Sequence, residues 1–168
     1  MSLYNVTDEF SLTDFLWEKN KPRIVEFIKS HSKGLSSIDI KNIVRGIEIN
    51  YKHRGIPCAR QLSLIYIESG FGPHRISEKG AIGLCQIMPG TGRAMLGEVY
   101  SKQYLKQPLI NVITCGKYLD YINSNKDKTQ LRILAEYNAG NEYKFGLPYA
   151  WRVLDYEKYI IKKYKIMI

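Results

Sequence analysis

Apolar residues recur at helical spacing along most of the chain. Residues 8–31 set Leu12, Phe15, Leu16, Ile24, Val25, Phe27 and Ile28 among charges. This predicts one or two amphipathic helices, with Pro22 as the natural start of a second. Ser30 to Ser37 is a polar loop containing Gly34. In residues 38–53, Ile38, Ile40, Ile43, Val44 and Ile47 mark the next helix. Gly55-Ile56-Pro57 breaks it and introduces a third, in which Gln61, Leu64, Ile65 and Glu68 share one face. Gly70 and Gly72-Pro73 end that helix, and a Gly-rich stretch runs on to Gly90. Thr91 is a good N-cap for a short helix to about Gly97. Pro108 opens a longer helix to about Asn123, with Leu109, Val112, Ile113, Gly116, Leu119 and Ile122 on its buried face. Thr129 caps another, which places Leu131, Leu134, Ala135 and Asn138 on one face with Tyr137 beside it, and ends at Gly140. Residues 141–149 read as loop and 150–165 as a last helix. No internal repeat and no sustained strand alternation occurs, although the Gly-rich region has room for a short β-hairpin. The pattern predicts a mainly α, single-domain protein.

Composition narrows this picture. The 168 residues suit one domain with a real core, and 45% hydrophobic with 24% charged residues is ordinary for a soluble globular chain. No apolar run reaches the roughly 18 residues of a transmembrane helix. The N-terminal MSLYNVTDEFSLTDF has acidic residues and no apolar core segment, so it is not a signal peptide. Met1-Ser2-Leu3 reads as an added leader, and an export signal is then expected in the natural reading frame. The net charge of +9 suits a polyanion (nucleic acid, anionic lipid or cell-wall polymer) or serves solubility alone. No nucleic-acid motif is present, and the basic residues cluster only in the tail, at Lys158, Lys162, Lys163 and Lys165. Cys58, Cys85 and Cys115 form no Cys-x-x-Cys pair and sit among apolar residues, so they read as core side chains and no metal or cofactor is expected. Cys85 has His74 near it in sequence, but no third group to orient a thiol–imidazole pair.

The chemistry concentrates at Glu68. An isolated Glu at a helix end is ordinarily solvated or ion-paired. Here the carboxyl lies on an apolar face at a helix C-terminus, and both surroundings disfavour its ionised form. A carboxyl kept protonated near neutral pH can act as a general acid. The Gly-rich stretch that follows lets backbone approach a ligand closely, and Gln86 sets an amide in an apolar run where it needs a partner. Glycoside hydrolysis ordinarily uses two carboxylates. Glu78 falls in an exposed loop pattern and Glu136 points away from the Leu131/Leu134 face, which leaves Glu68 alone.

These residues carry a family resemblance. Glu68-Ser69, then Ser77 and Gly80-Ala81-Ile82-Gly83-Leu84-Cys85-Gln86-Ile87-Met88-Pro89-Gly90-Thr91, then Ala135-Glu136-Tyr137-Asn138-Ala139-Gly140, resemble in order the three motifs of the soluble lytic transglycosylases, relatives of goose-type lysozyme. The likeness covers about residues 55–160. It departs at Cys85, where the family commonly has Met or another large residue. It departs again after Gly140, where the segment is short and lacks the usual Gly-Arg and Glu-Thr signature. The resemblance implies a lysozyme-like fold, with residues 1–54 as a helical extension packed on a catalytic domain at 55–168. It implies cleavage of peptidoglycan glycan strands by a single acid, Glu68. The substrate's N-acetyl group and then the muramic acid C6 hydroxyl complete the reaction. Ser69, Ser77, Gln86, Met88, Tyr137 and Asn138 are expected in the cleft, with Tyr156 as its late tyrosine and Tyr137 as the group that holds Glu68. A monomer in the periplasm or at the cell wall is expected, working broadly or beside a secretion or conjugation apparatus, without nucleic acid or cofactor. A lysozyme-type hydrolase and a non-catalytic wall-binding or assembly module are the alternatives.

Overall fold

A computed structural model of the chain describes residues 11–124 and 127–166. Seven α-helices carry these residues: α1 Leu12–His31, α2 Ser37–Arg54, α3 Cys58–Ser69, α4 Pro89–Leu96, α5 Pro108–Ile122, α6 Gln130–Ala139 and α7 Tyr143–Tyr164. Short 3-10 turns at Gly97–Val99, Tyr104–Lys106 and Gly140–Glu142 join some of them. The expected mainly helical architecture is what forms. The hairpin foreseen in the Gly-rich region shrinks to two isolated antiparallel bridges, Ile76 with Ile82 and Ile82 with Ile87.

The helix ends follow local chemistry. Ser11 and Ser36 cap α1 and α2 by accepting from the amides of Asp14 and Asp39, and Asp39 returns a bond to the Ser36 amide. Thr129 caps α6 as its sequence predicts. Three boundaries differ from the sequence reading. Within the described residues the first region is one helix, the first of the two expected forms; Pro22 starts no second helix but sits inside α1, whose buried Trp17, Ile24, Phe27 and Ile28 hold one continuous apolar face across it. The expected residues 8–10 of that helix lie outside the described residues. Helix α4 begins at Pro89, with Pro in the first turn, where its missing N–H costs nothing. Helix α7 begins at Tyr143, so most of the expected 141–149 loop is helical and Pro148 lies within it.

One hydrophobic core runs from Trp17 in α1 to Ile160 in α7. An amide pair inside it fixes the angle of α3. Asn50 donates to Gln61 Oε1 at 3.0 Å and to the Val112 carbonyl at 2.8 Å, and Gln61 donates to the carbonyls of Ile47 and Ile56. Both amides are almost fully buried, so each needs these partners. Helices α6 and α7 cross where Gly146 meets α6; a Cβ there would lie 2.1 Å from the Ala135 carbonyl oxygen. Helix α7 runs back along α3, tied by Ser63 Oγ to the Val153 carbonyl at 2.7 Å and by Arg60 to Glu157 at 3.0 Å. This pairing brings the first turns of α7 level with the end of α3, where Glu68 sits.

Candidate active site

Helix α3 ends at Ser69, and Gly70 caps it in the left-handed region. The next twenty residues fold back over that end with little regular structure, so side chains hold them. Ser69 is buried, and its hydroxyl donates to the Leu84 carbonyl at 2.7 Å. Ser77 accepts from the Ala81 amide at 3.0 Å. Asn111, fully buried on α5, clamps the middle of the loop: its Nδ2 donates to the carbonyls of Ile82 and Leu105, and its Oδ1 accepts from the Cys85 amide at 2.8 Å. Gly83 lies against this clamp with φ of +81°, and a Cβ would meet Asn111 Nδ2 at 2.4 Å, so no other residue fits. Gln86 also takes a positive φ, +48°, and its side chain is secured by donating to the Gly83 carbonyl at 2.9 Å. A non-glycine residue in this region is strained and needs such support.

Gln86, Met88, Tyr137 and Asn138, four of the residues expected in the cleft, line one cavity of about 190 Å³ together with Thr91 and Tyr118. Ser69 and Ser77 shape the loop by the bonds just described. Tyr156, on α7, is not among the residues lining that cavity and lies in an aromatic cluster: it stacks on Tyr66 at 4.7 Å and 11° and meets Phe27 edge-on.

The Glu68 carboxyl is mostly buried, and burial pushes its pKa up to about 7, against the opposing pull of a hydrogen bond from Tyr149 and the charge of Arg152. Tyr149 Oη donates to Glu68 Oε1 at 2.6 Å. This corrects the role expected of Tyr137, whose hydroxyl donates instead to the Cys85 carbonyl at 2.7 Å. The reason is positional: α6 delivers Tyr137 to the loop, while the early start of α7 carries Tyr149 to the carboxyl. Sequence reasoning missed Tyr149 because Leu147-Pro148-Tyr149 resembles a loop. The signal that could have found it is the four-residue spacing of Gly146, Ala150 and, three further on, Val153, which continues the α7 face through the proline.

The other candidates are occupied differently. Glu136 is paired with Lys128 at 2.7 Å and with Arg132, and Glu78 is exposed. Cys58, Cys85 and Cys115 are free and buried, and burial pushes the Cys85 thiol up, so it is no nucleophile. Among the described residues no group of three or more His, Cys, Asp or Glu could hold a metal ion.

A helical scaffold whose Gly-rich loop packs over one protonatable glutamate defines a domain of lysozyme-like fold. The sequence profile described as "Transglycosylase SLT domain" matches residues 47–144. The chain belongs to that family. It is 31% identical over 104 residues to "Membrane-bound lytic murein transglycosylase C" of Haemophilus ducreyi, covering 53% of this chain and 28% of that protein. Its fold matches the 70 kDa soluble lytic transglycosylase SLT70 of Escherichia coli with a TM-score of 0.59 at 20% identity, over 89% of this chain and 30% of the other. It also matches an inactive mutant of lytic transglycosylase Slt from Pseudomonas aeruginosa, TM-score 0.60 at 24% identity, over 71% and 24%. The chain thus spans under a third of the length of each of these relatives.

Proposed function

We propose that the protein is a peptidoglycan lytic transglycosylase that cleaves the β-1,4 bond from N-acetylmuramic acid to N-acetylglucosamine and leaves a 1,6-anhydromuramic end. The observation that carries this reading is the Glu68 carboxyl, mostly buried and held by Tyr149 at 2.6 Å, where burial pushes its pKa up to about 7. Glu68 gives its proton to the glycosidic oxygen as the bond to muramic C1 breaks, and N-acetylglucosamine leaves with a free hydroxyl. The substrate's acetamido oxygen stabilises the positive charge at C1. The C6 hydroxyl then attacks C1, and the Glu68 carboxylate takes its proton, which restores the acid. Gln86, Met88, Tyr137 and Asn138 orient the sugars; Ser69 and Ser77 act through the loop they hold. Tyr156, in its aromatic cluster on α7, is an outer cleft contact in this reading.

A hydrolase would need a carboxylate that activates water. Glu136 is tied to Lys128 and Arg132 and is not free for that role, which leaves Glu68 as the base of the proposed reaction. The Haemophilus ducreyi relative is named a lytic murein transglycosylase, and a net charge of +9 suits that acidic polymer. The same proposal takes the protein to act as a monomer at the cell wall, in the periplasm, either broadly or beside a secretion or conjugation apparatus. No helix of the described residues is long and apolar enough to cross a membrane. Mass spectrometry of digested peptidoglycan tests the proposal. Fragments lighter by one water than hydrolysis products, lacking a reducing muramic end, are expected. Reducing ends would make the enzyme a lysozyme, and intact glycan would favour a binding module.

A further inference from the structure

The α1–α2 hairpin carries a surface that the cleavage reaction does not use. The two helices run antiparallel, with Lys52 near the end of α2 paired to Asp14 near the start of α1 at 2.8 Å. Further along the hairpin, past Glu48, which also pairs with Lys52, they part around a groove of about 900 Å³. Its floor is Val25, Leu35, Ile40 and Val44, and its rim carries Lys21, Lys29, Lys41 and Arg45. The lining follows helical stripes: Lys21, Val25 and Lys29 recur every four residues along α1, and Ile40, Val44 and Glu48 do so along α2. A second depression of about 510 Å³ shares Val25 and Lys29 and lengthens the groove across α1.

We propose that this groove binds an amphipathic helix of a partner protein, with an apolar stripe that fills the floor and carboxylates that meet the lysine rim. Two antiparallel helices with an apolar seam offer the seat of a third, read at i, i+3, i+4 and i+7. From Lys21 to Lys29 the stripe spans about 12 Å, and from Ser37 to Glu48 about 16 Å, which is two to three turns of a bound helix. The charge selects the partner. Lys29 and Lys41 are exposed and form no ion pair among the described residues, and Glu48 is already committed to Arg45 and Lys52. A second copy of this chain would set the same cationic rim against itself under a net charge of +9 on each. Most of the groove precedes residue 47, where the family match begins, and Glu68 is not among the groove's lining residues.

Titration of the isotopically labelled full chain with a designed helical peptide tests this, with leucines at i, i+3, i+4 and i+7 and glutamates elsewhere. Saturable NMR shifts confined to residues around Val25, Ile40 and Val44 are expected. The double variant Lys29→Glu/Lys41→Glu should weaken binding about ten-fold or more, and raised salt should do the same. Val25→Asp should abolish it, with thermal melts confirming that each variant folds. The proposal is overturned if the peptide with lysines in place of glutamates binds as well, if shifts fall elsewhere, or if none occur. It is equally overturned if only vesicles of anionic phospholipid perturb the groove, or if sedimentation shows a dimer that Val25→Asp dissolves. Binding is read without peptidoglycan, so the result stands apart from the catalytic reading, and the groove variants should keep wild-type cleavage.

Discussion

At the scale of single residues, Glu68 couples activity and stability to pH in opposite ways to an ordinary surface carboxylate. Its neutral form is the acid, so cleavage should fall as pH rises through about 7. Its folded pKa lies above the unfolded value, so the folded state holds the extra proton between the two. Stability therefore declines as pH rises from about 4.5 to about 7, and the loss is complete above that window. The amount is at most about 3 kcal/mol, reduced by the partial exposure of the group. Glu68→Gln keeps an acceptor for Tyr149 but carries no charge. It should lose nearly all cleavage, melt higher than wild type at pH 8 and melt alike at pH 4. A glutamine variant with half the wild-type turnover would remove Glu68 from the mechanism. Tyr149→Phe removes the donor that favours the carboxylate. The alkaline limb of kcat/KM should then move to higher pH while the rate falls by about ten-fold. If Tyr149 served packing alone, the limb would stay in place, since phenylalanine keeps the ring.

At the scale of elements, the Gly-rich loop depends on a residue of another helix. Asn111 supplies three hydrogen bonds to the backbone of residues 82–105 from a position with no solvent. Asn111→Leu leaves the Cys85 amide and the Leu105 carbonyl without these partners, at about 1–3 kcal/mol each, while the Ile82 carbonyl keeps its bond from the Ile87 amide. A fall in melting temperature and a raised KM at Gln86 and Met88's cavity are the expected outcome; unchanged KM in a folded variant would show that the loop holds itself. The sequence made the helices legible because their apolar spacing is local, and α3's end at Glu68 was legible because Gly70 follows at once. It also brought Gln86, Met88, Tyr137 and Asn138 to notice, and they do share a cavity. What it hid depended on distance in the chain. Asn111 reads as one polar residue in an apolar helix until the loop is laid against it. Tyr149 was hidden because proline usually ends helices, whereas α7 continues through Pro148 on the strength of its contact with α6 at Gly146. The exchange of roles between Tyr137 and Tyr149 follows from that one misplaced helix start.

At the scale of the whole molecule, the question is whether the first two helices can be separated from the rest. The family match begins at residue 47, within α2, so α1 and most of α2 lie outside it. Yet Trp17, Ile24, Phe27, Ile28, Ile43 and Ile47 are all fully buried in the same core as Leu64 and Ile65 of α3. Phe27 meets Phe71, just past the Glu68 helix, edge-on at 6.1 Å, and Tyr156 and Tyr164 of α7 at 6.4 and 5.0 Å. Those rings set α1 against both helices that position the carboxyl. Trp17→Ala should cost about 3–5 kcal/mol, because so large a side chain leaves a cavity that rigid helices close only in part. Phe27→Ala should cost a similar amount and also lower kcat, since the packing behind α3 and α7 loosens where Glu68 meets Tyr149. Removal of residues 1–35 strips all of α1 and exposes the apolar faces of α2, α3 and α7 together, so the truncated chain should lose its cooperative thermal transition. If it melts cooperatively and still cleaves peptidoglycan, α1 is a removable accessory, and the contact of Glu68 with Tyr149 is held without it.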